Sequence, residues 1–126
     1  MFVRKLGKIG EKIAEKYLKD KGYKILARNF VFRLPGNPQK GELDIVAKKE
    51  DVVSFVEVKT LKDAGQISPE EKVNPSKQRK LRMAAESWLM KNKIPLNSKW
   101  QIDVIAIEKS YKGTKISHFE NAFPYF

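Results

Sequence analysis

The chain has 126 residues, a length that fits a single domain, 1–126, with one continuous core. Its 26 Lys+Arg against 15 Asp+Glu give a formal net charge of +11, which favours a polyanionic partner, although a lysine-rich surface also serves solubility alone. No cysteine is present, which excludes disulfides and thiolate metal sites and favours a cytoplasmic setting, and no apolar run approaches the ~18 residues of a membrane span.

Taken in chain order, the periodicity predicts a helix from Gly7 to Asp20, with Ile9, Ile13, Ala14, Tyr17 and Leu18 on one face. Gly22 closes it in a C-cap role. Tyr23 to Phe32 read as a strand, and Leu34 to Lys40, with two prolines and a glycine, as a loop. Glu42 to Lys48 and Val52 to Thr60 read as an antiparallel hairpin joined through Lys49-Glu50-Asp51. Leu61 to Pro75 is a long polar segment of the kind used as a lid or binding loop. Ser76 is the expected N-cap of a second helix, which carries Leu81, Ala84, Ala85, Trp88 and Leu89 inward and ends near Asn92. Trp100 to Glu108 form a further strand, Lys115 to Phe119 a fifth, and Asn121 to Phe126 an apolar tail. The order αβββαβ(β) is that of an α/β sandwich, a mixed sheet of four to five strands flanked by helices.

The chemistry concentrates in Gly41-Glu42-Leu43-Asp44 and Phe55-Val56-Glu57-Val58-Lys59. Strand side chains alternate, so Glu57 and Lys59 share a face and Val56 and Val58 take the other. Charges rarely interrupt so apolar a run without a reason, because an unpaired buried charge is costly. Asp44, Glu57 and the Val58 carbonyl would give an open site for a hard divalent ion, with Lys59 steadying the charge that develops on attack. The bland alternative is a Glu57–Lys59 salt bridge on a solvated face.

A further acid is expected from the first helix. Glu11 lies at the border of the apolar face, whereas Glu15 lies further round and can pair with Lys19. Glu11 could instead pair with Lys8. On the second helix, Lys77 and Gln78 could meet a phosphate at the helix N-terminus, and Lys77, Arg79, Lys80 and Arg82 form a basic run suited to backbone phosphates. Arg33, with Phe30 and Phe32 beside the Pro/Gly loop, is a weaker nucleic-acid candidate. His118 is the only histidine, so a zinc site is not expected and a structural role is. Trp88 and Trp100 are expected in the core. Asp103 is expected to be buried and paired, positioning Lys59 or a helix.

These residues resemble the PD-(D/E)xK, restriction-endonuclease-like nucleases. Over nearly its whole length the chain is more closely similar to the YraN-like family of predicted endonucleases. The similarity runs through Gly7-x-x-Gly10-Glu11-x-x-Ala14, Gly22-Tyr23-x-Ile25-Leu26-x-Arg28-Asn29, Gly41-Glu42-Leu43-Asp44-Ile45-Val46-Ala47, Phe55-Val56-Glu57-Val58-Lys59, Lys77, Asp103-Val104-Ile105 and Asn121-Ala122-Phe123. Archaeal Holliday junction resolvases resemble it too, with a helix Glu, an Asp and an E-V-K in the same order. The resemblance implies a restriction-endonuclease-like three-layer sandwich and a metal-dependent phosphodiesterase. In it Glu11, Asp44 and Glu57 would bind magnesium or manganese, and Lys59 would position the attacking water. The superfamily's usual Pro before the Asp is replaced here by Leu43.

The leading expectation is therefore an endonuclease binding and cleaving DNA, branched DNA included. A non-catalytic nucleic-acid-binding module with the same fold is the alternative. A homodimer formed through Phe123, Tyr125 and Phe126 of the tail is a third expectation.

Overall fold

The computed structural model describes residues 2–33, 36, 40–62 and 73–124, without the side chains of 2–6 and 62. Most of the Pro/Gly loop, the centre of the 61–75 segment, and Tyr125 and Phe126 of the tail lie outside the described residues.

Helix α1 spans Phe2–Asp20 and starts five residues before the predicted Gly7. Phe2, Leu6, Ile9, Ile13 and Tyr17 recur every three or four positions, so the helical repeat continues to the chain's start. The face that meets the sheet is rotated from the expected one. Gly10, Ala14 and Leu18 are buried, whereas Ile9 is 44% exposed. Gly10 explains the difference: a Cβ there would overlap Thr60 Oγ1, so the helix rides closest to the sheet on its smallest residue. Gly22, at φ +95°, ends the helix as expected, with the Tyr23 N–H bonded to the Leu18 carbonyl at 2.9 Å.

Strands β1 (Lys24–Arg33), β2 (Lys40–Lys49) and β3 (Val52–Lys62) form an antiparallel meander. Helix α2 (Pro75–Lys91) then carries the chain across the sheet to β4 (Trp100–Ser110), which lies parallel to β3, and β5 (Gly113–Phe119) returns antiparallel. A parallel neighbour cannot be reached by a tight turn, which is why a helix intervenes there. The sheet order is β1-β2-β3-β4-β5, so β3 is central.

Each helix covers its own core. Leu43, Val46, Phe55 and Ile102 pack with Leu81, Ala84, Ala85, Trp88 and Leu89 of α2. Ile45, Ala47, Val56, Ile105 and Ile107 pack with Ala14 and Leu18 of α1. The architecture is thus helix, five-stranded mixed sheet, helix, as the sequence order implied.

Three expectations need correction. The N-cap of α2 is Asn74 rather than Ser76: its side chain accepts from the Lys77 N–H at 2.8 Å, and Pro75 takes the first helical position. The fixed φ of proline suits that position and holds the preceding residue extended, which leaves Asn74 as the cap. Phe123 of the tail is not a free docking residue, since it is partly buried against the α2-side core. Phe30 and Phe32 are likewise partly buried against that core rather than open platforms. Trp88 and Trp100 do belong to the core, each edge-on to Phe55 at 5.7 Å. Among the described residues no helix is long and apolar enough to cross a membrane.

Candidate functional site

The β2–β3 ladder runs from Lys49↔Val52 to Ile45↔Val56 and stops there. One more step would place Asp44 opposite Glu57. Instead β2 turns over at Asp44: Leu43 belongs to the α2-side core and Ile45, two residues on, to the α1-side core. β1 turns with it. Asn29, opposite Asp44, has φ +51°, and it separates Arg28, ion-paired to Glu15 of α1, from Phe30 on the α2 side. Asparagine tolerates that left-handed conformation better than most residues. The twist directs the Asp44 carboxylate into the split, where its Oδ2 accepts from the Val58 N–H at 2.8 Å. A side chain thereby satisfies a backbone donor that the ladder has abandoned.

Glu57 lies on the Phe55 side of β3, beneath α2, with its side chain only 8% exposed. Lys77 Nζ of α2 stands 3.5 Å from Glu57 Oε2. Burial and the neighbouring Asp44 carboxyl, which also hydrogen-bonds to it, push the Glu57 carboxyl up to about 8, while Lys77 and Lys59 pull it down. Glu57 thus keeps its proton near neutral pH, as a buried acid beside another carboxyl does. Lys59 follows two residues on along the same strand face, half-buried.

Glu11 reaches the same place from the other helix layer. Burial first, then Asp44 and Glu42, raise its pKa, and Lys8 opposes them. Glu11 and Asp44 line one cleft of about 250 Å³, together with Lys8, Lys12, Arg28 and Asn29. At about 100° per residue, Glu11 sits roughly 60° from the buried centre at Ala14, closer than the predicted face allowed. Two glycines bring the helix layers close. Gly10 sets α1 against β3, and Gly41 sets α2 against β2, where a Cβ would come within 2.7 Å of the Lys80 carbonyl oxygen.

The fold therefore brings together Glu11, Asp44, Glu57, Lys59 and Lys77 from four elements. The oxygens that could hold a hard divalent ion are those of Asp44 and Glu57, with Glu11 across the cleft. The remaining candidates stand apart from this group. Gln78 spends its amide NH₂ on the Val73 carbonyl at 2.9 Å, tying down the entry to α2. Arg79 is exposed, Lys80 half-buried, and Arg33 ends β1 opposite Lys40. Sequence reasoning named Lys8 beside Glu11, but it missed Glu42 as a neighbour of Glu11 and the Lys12 and Arg28 rim of the cleft. The available signal was Asn29, a residue prone to positive φ inside a strand pattern.

A profile of the uncharacterised protein family UPF0102 matches residues 10–107. The chain belongs to that family. Among its UPF0102 relatives, a protein of Alkaliphilus oremlandii is 42% identical over 122 residues, covering 95% of this chain and 98% of the relative. One of Flavobacterium psychrophilum is 40% identical over 121 residues, covering 96% and 95%. One of Syntrophomonas wolfei is 43% identical over 120 residues, covering 95% and 98%.

This UPF0102 chain carries a second polar cluster, two strands over from Asp44. Asp103, fully buried, accepts from Gln101 Nε2 at 3.0 Å, His118 Nε2 at 2.8 Å and the Asn121 N–H at 2.9 Å. A carboxylate only accepts, so His118 Nε2 carries the proton and Nδ1 accepts from the Tyr17 hydroxyl at 3.2 Å. Asp103, His118 and Glu120 each offer a donor atom within 4.8 Å of the others, a grouping that could hold a metal ion. The Asp103 oxygens are already committed to β5 and the chain beyond it. Asp103 is thus buried and paired as expected, but its partners are Gln101, His118 and Asn121 rather than Lys59.

The Glu57 environment has a measurable consequence for stability. Its carboxyl is raised to about 8 in the folded UPF0102 chain, against an ordinary value of 4.5. Between those values the folded state holds more protons than the unfolded one, so stability falls as pH rises through that window and levels off above it. Glu57→Gln removes this dependence. From about pH 5 to pH 8.5 the variant should gain a few kcal/mol on the wild type in chemical denaturation. A constant difference across that range would mean that Glu57 is ionised throughout.

Proposed function

We propose that this chain is a magnesium- or manganese-dependent endonuclease, a single cytoplasmic domain that binds DNA, branched DNA included, and hydrolyses its phosphodiester bonds. One observation carries the reading: Asp44 lies electrostatically between Glu11 and Glu57, at a break in the sheet, with Lys59 and Lys77 beside it.

The donor set fits a hard divalent ion. It is all oxygen, it comes from separate elements held by close glycine contacts, and burial beside Asp44 raises the Glu57 carboxyl to about 8. Asp44 and Glu57 would hold the ion, with Glu11 adding charge from across the cleft. When bound, the ion supplies Lewis-acid polarisation of a phosphoryl oxygen and a water of lowered pKa. Asp44 is held by the Val58 N–H, so one of its oxygens keeps a fixed direction. Glu57 is held by burial. Lys59, on the same face as Glu57, offers a cation to the charge developing on the phosphoryl oxygens. Lys77, Arg79 and Lys80 at the start of α2 offer phosphate contacts that read no sequence, in keeping with a net charge of +11.

Calorimetric titration of Mg²⁺ and Mn²⁺ into the wild type and Asp44→Asn is the direct test, followed by cleavage of linear, flapped and four-way DNA. Binding in the wild type, weakened at least tenfold in Asp44→Asn, is expected. If neither protein takes up metal even beside a non-hydrolysable DNA, the binding-module alternative replaces this reading.

A further inference from the structure

We infer that the Lys77 ammonium is a stand-in cation, holding the Glu57 carboxyl in place before a divalent ion arrives and passing to a substrate phosphate when one does. The inference rests on the metal-dependent reading above and adds a coupling between metal and DNA that this reading does not require.

Three observations support it. The first is the contact itself: Lys77 Nζ lies 3.5 Å from Glu57 Oε2, an oxygen that a bound ion would also need. The second is the asymmetry of the pair. The Lys77 side chain is 41% exposed and that of Glu57 only 8%. The carboxyl is fixed in the protein, whereas the ammonium sits on a flexible stem that already reaches solvent.

The third is the place of Lys77 in its helix. It is the third residue after the Asn74 cap, and the first turn of α2 contains no acid. The helix dipole favours an anion there and disfavours a lysine. Local helix physics therefore does not account for Lys77, whereas its ion pair with Glu57 does. Once a divalent ion takes the Glu57 oxygen that Lys77 touches, that contact is lost. An incoming phosphate at the α2 N-terminus then becomes the natural acceptor, favoured by the dipole and by the released ammonium together.

Lys77, a proton and the incoming ion all compete for the one Glu57 carboxyl, which makes metal binding weak in the free protein. A phosphate that draws Lys77 away makes it stronger, and by linkage the metal strengthens DNA binding by the same factor. Lys77 is in this sense a positioning residue that keeps the loaded site for moments when substrate is present.

The test is Mn²⁺ titration by calorimetry into wild type, Lys77→Gln, Lys77→Arg and, from the far end of α2, Lys91→Gln, each with and without a short DNA carrying non-hydrolysable linkages. Without DNA, Lys77→Gln should bind Mn²⁺ about tenfold more tightly than wild type, whereas Lys77→Arg and Lys91→Gln should match wild type. Adding DNA should tighten Mn²⁺ binding in wild type and do so far less in Lys77→Gln. A merely structural Lys77 would give the opposite sign, because losing it would loosen Glu57 and weaken the metal. Equal or weaker Mn²⁺ binding by Lys77→Gln overturns the inference while leaving the metal site standing. Absence of Mn²⁺ binding in every protein, with DNA present, overturns the metal-dependent reading and this inference with it.

Discussion

Glu57→Gln is expected to lower metal-dependent DNA cleavage by on the order of 10³-fold or more while leaving the protein folded. The amide has the shape of the protonated carboxyl that Glu57 retains up to about pH 8, so the ion-free protein should accept it with little strain. What it cannot do is supply the negative charge that a divalent ion needs. The loss should therefore fall on turnover and metal affinity together. Circular dichroism should match wild type, and the thermal midpoint should match it near pH 5 and exceed it as pH rises toward 8. Lys59→Ala should cost a comparable factor in turnover but leave Mn²⁺ binding largely intact, since a lysine is no ligand. The split between the two variants distinguishes the roles better than either loss alone. Cleavage by Glu57→Gln within tenfold of wild type would remove Glu57 from the site.

Asp103→Ala should have the largest effect on stability and little on the metal. Its carboxylate is fully buried and serves three donors on three segments: the Gln101 amide, the His118 ring and the Asn121 backbone. Truncation leaves those donors without their acceptor in a place that water reaches poorly. A loss of about 2–4 kcal/mol is expected, which corresponds to a drop of roughly 10 °C in thermal midpoint. His118 would lose its tautomeric anchor, and its contact with Tyr17 would loosen with it. Denaturant unfolding measures the effect. A change below about 0.5 kcal/mol would mean that the three donors find other partners, and the cluster would not then tie β5 to α1. Mn²⁺ affinity, measured on the same sample below its midpoint, should remain near wild type, because Asp103 contributes nothing to the Asp44 group.

The elements were legible because their periods are strong. Val52 to Val56 and Ile102 to Ile107 are too β-branched for anything but central strands, and Leu81 to Leu89 repeat at helical spacing. The carboxylates of β2 and β3 were legible because charge interrupts those strands. Other features could not be read so directly. The face of α1 was misjudged because a pattern of apolar residues gives glycine no weight, yet Gly10 marks the closest approach to the sheet. The α2 cap was misjudged because serine and asparagine both cap well, and only the position of Pro75 decides between them. Two of the three partners of Asp103 lie 15 and 18 residues away, on another strand and the segment after it, beyond the reach of any local rule. The turn-over of β2 at Asp44 is a three-strand property, visible only once Asn29 and Val58 stand beside it.

The topology also sets an order of assembly as the chain emerges from synthesis, N-terminus first. Every acid of the site, and Lys59, lies between Glu11 and Lys59, in α1 and the first three strands. Lys77 and β4 come later, and β4 joins by a non-local parallel pairing, the slower kind. Until it does, β3 is an edge strand that presents the apolar run Val52 to Val58 and its unpaired backbone to any other strand nearby. Exposed edges of that kind template aggregation, and proteins blunt them with charges placed within the strand. Glu57 and Lys59 occupy such positions, so the residues read here as chemical machinery also guard the half-made sheet. Replacing both with apolar residues would cost the nascent protein its solubility before it ever met a substrate.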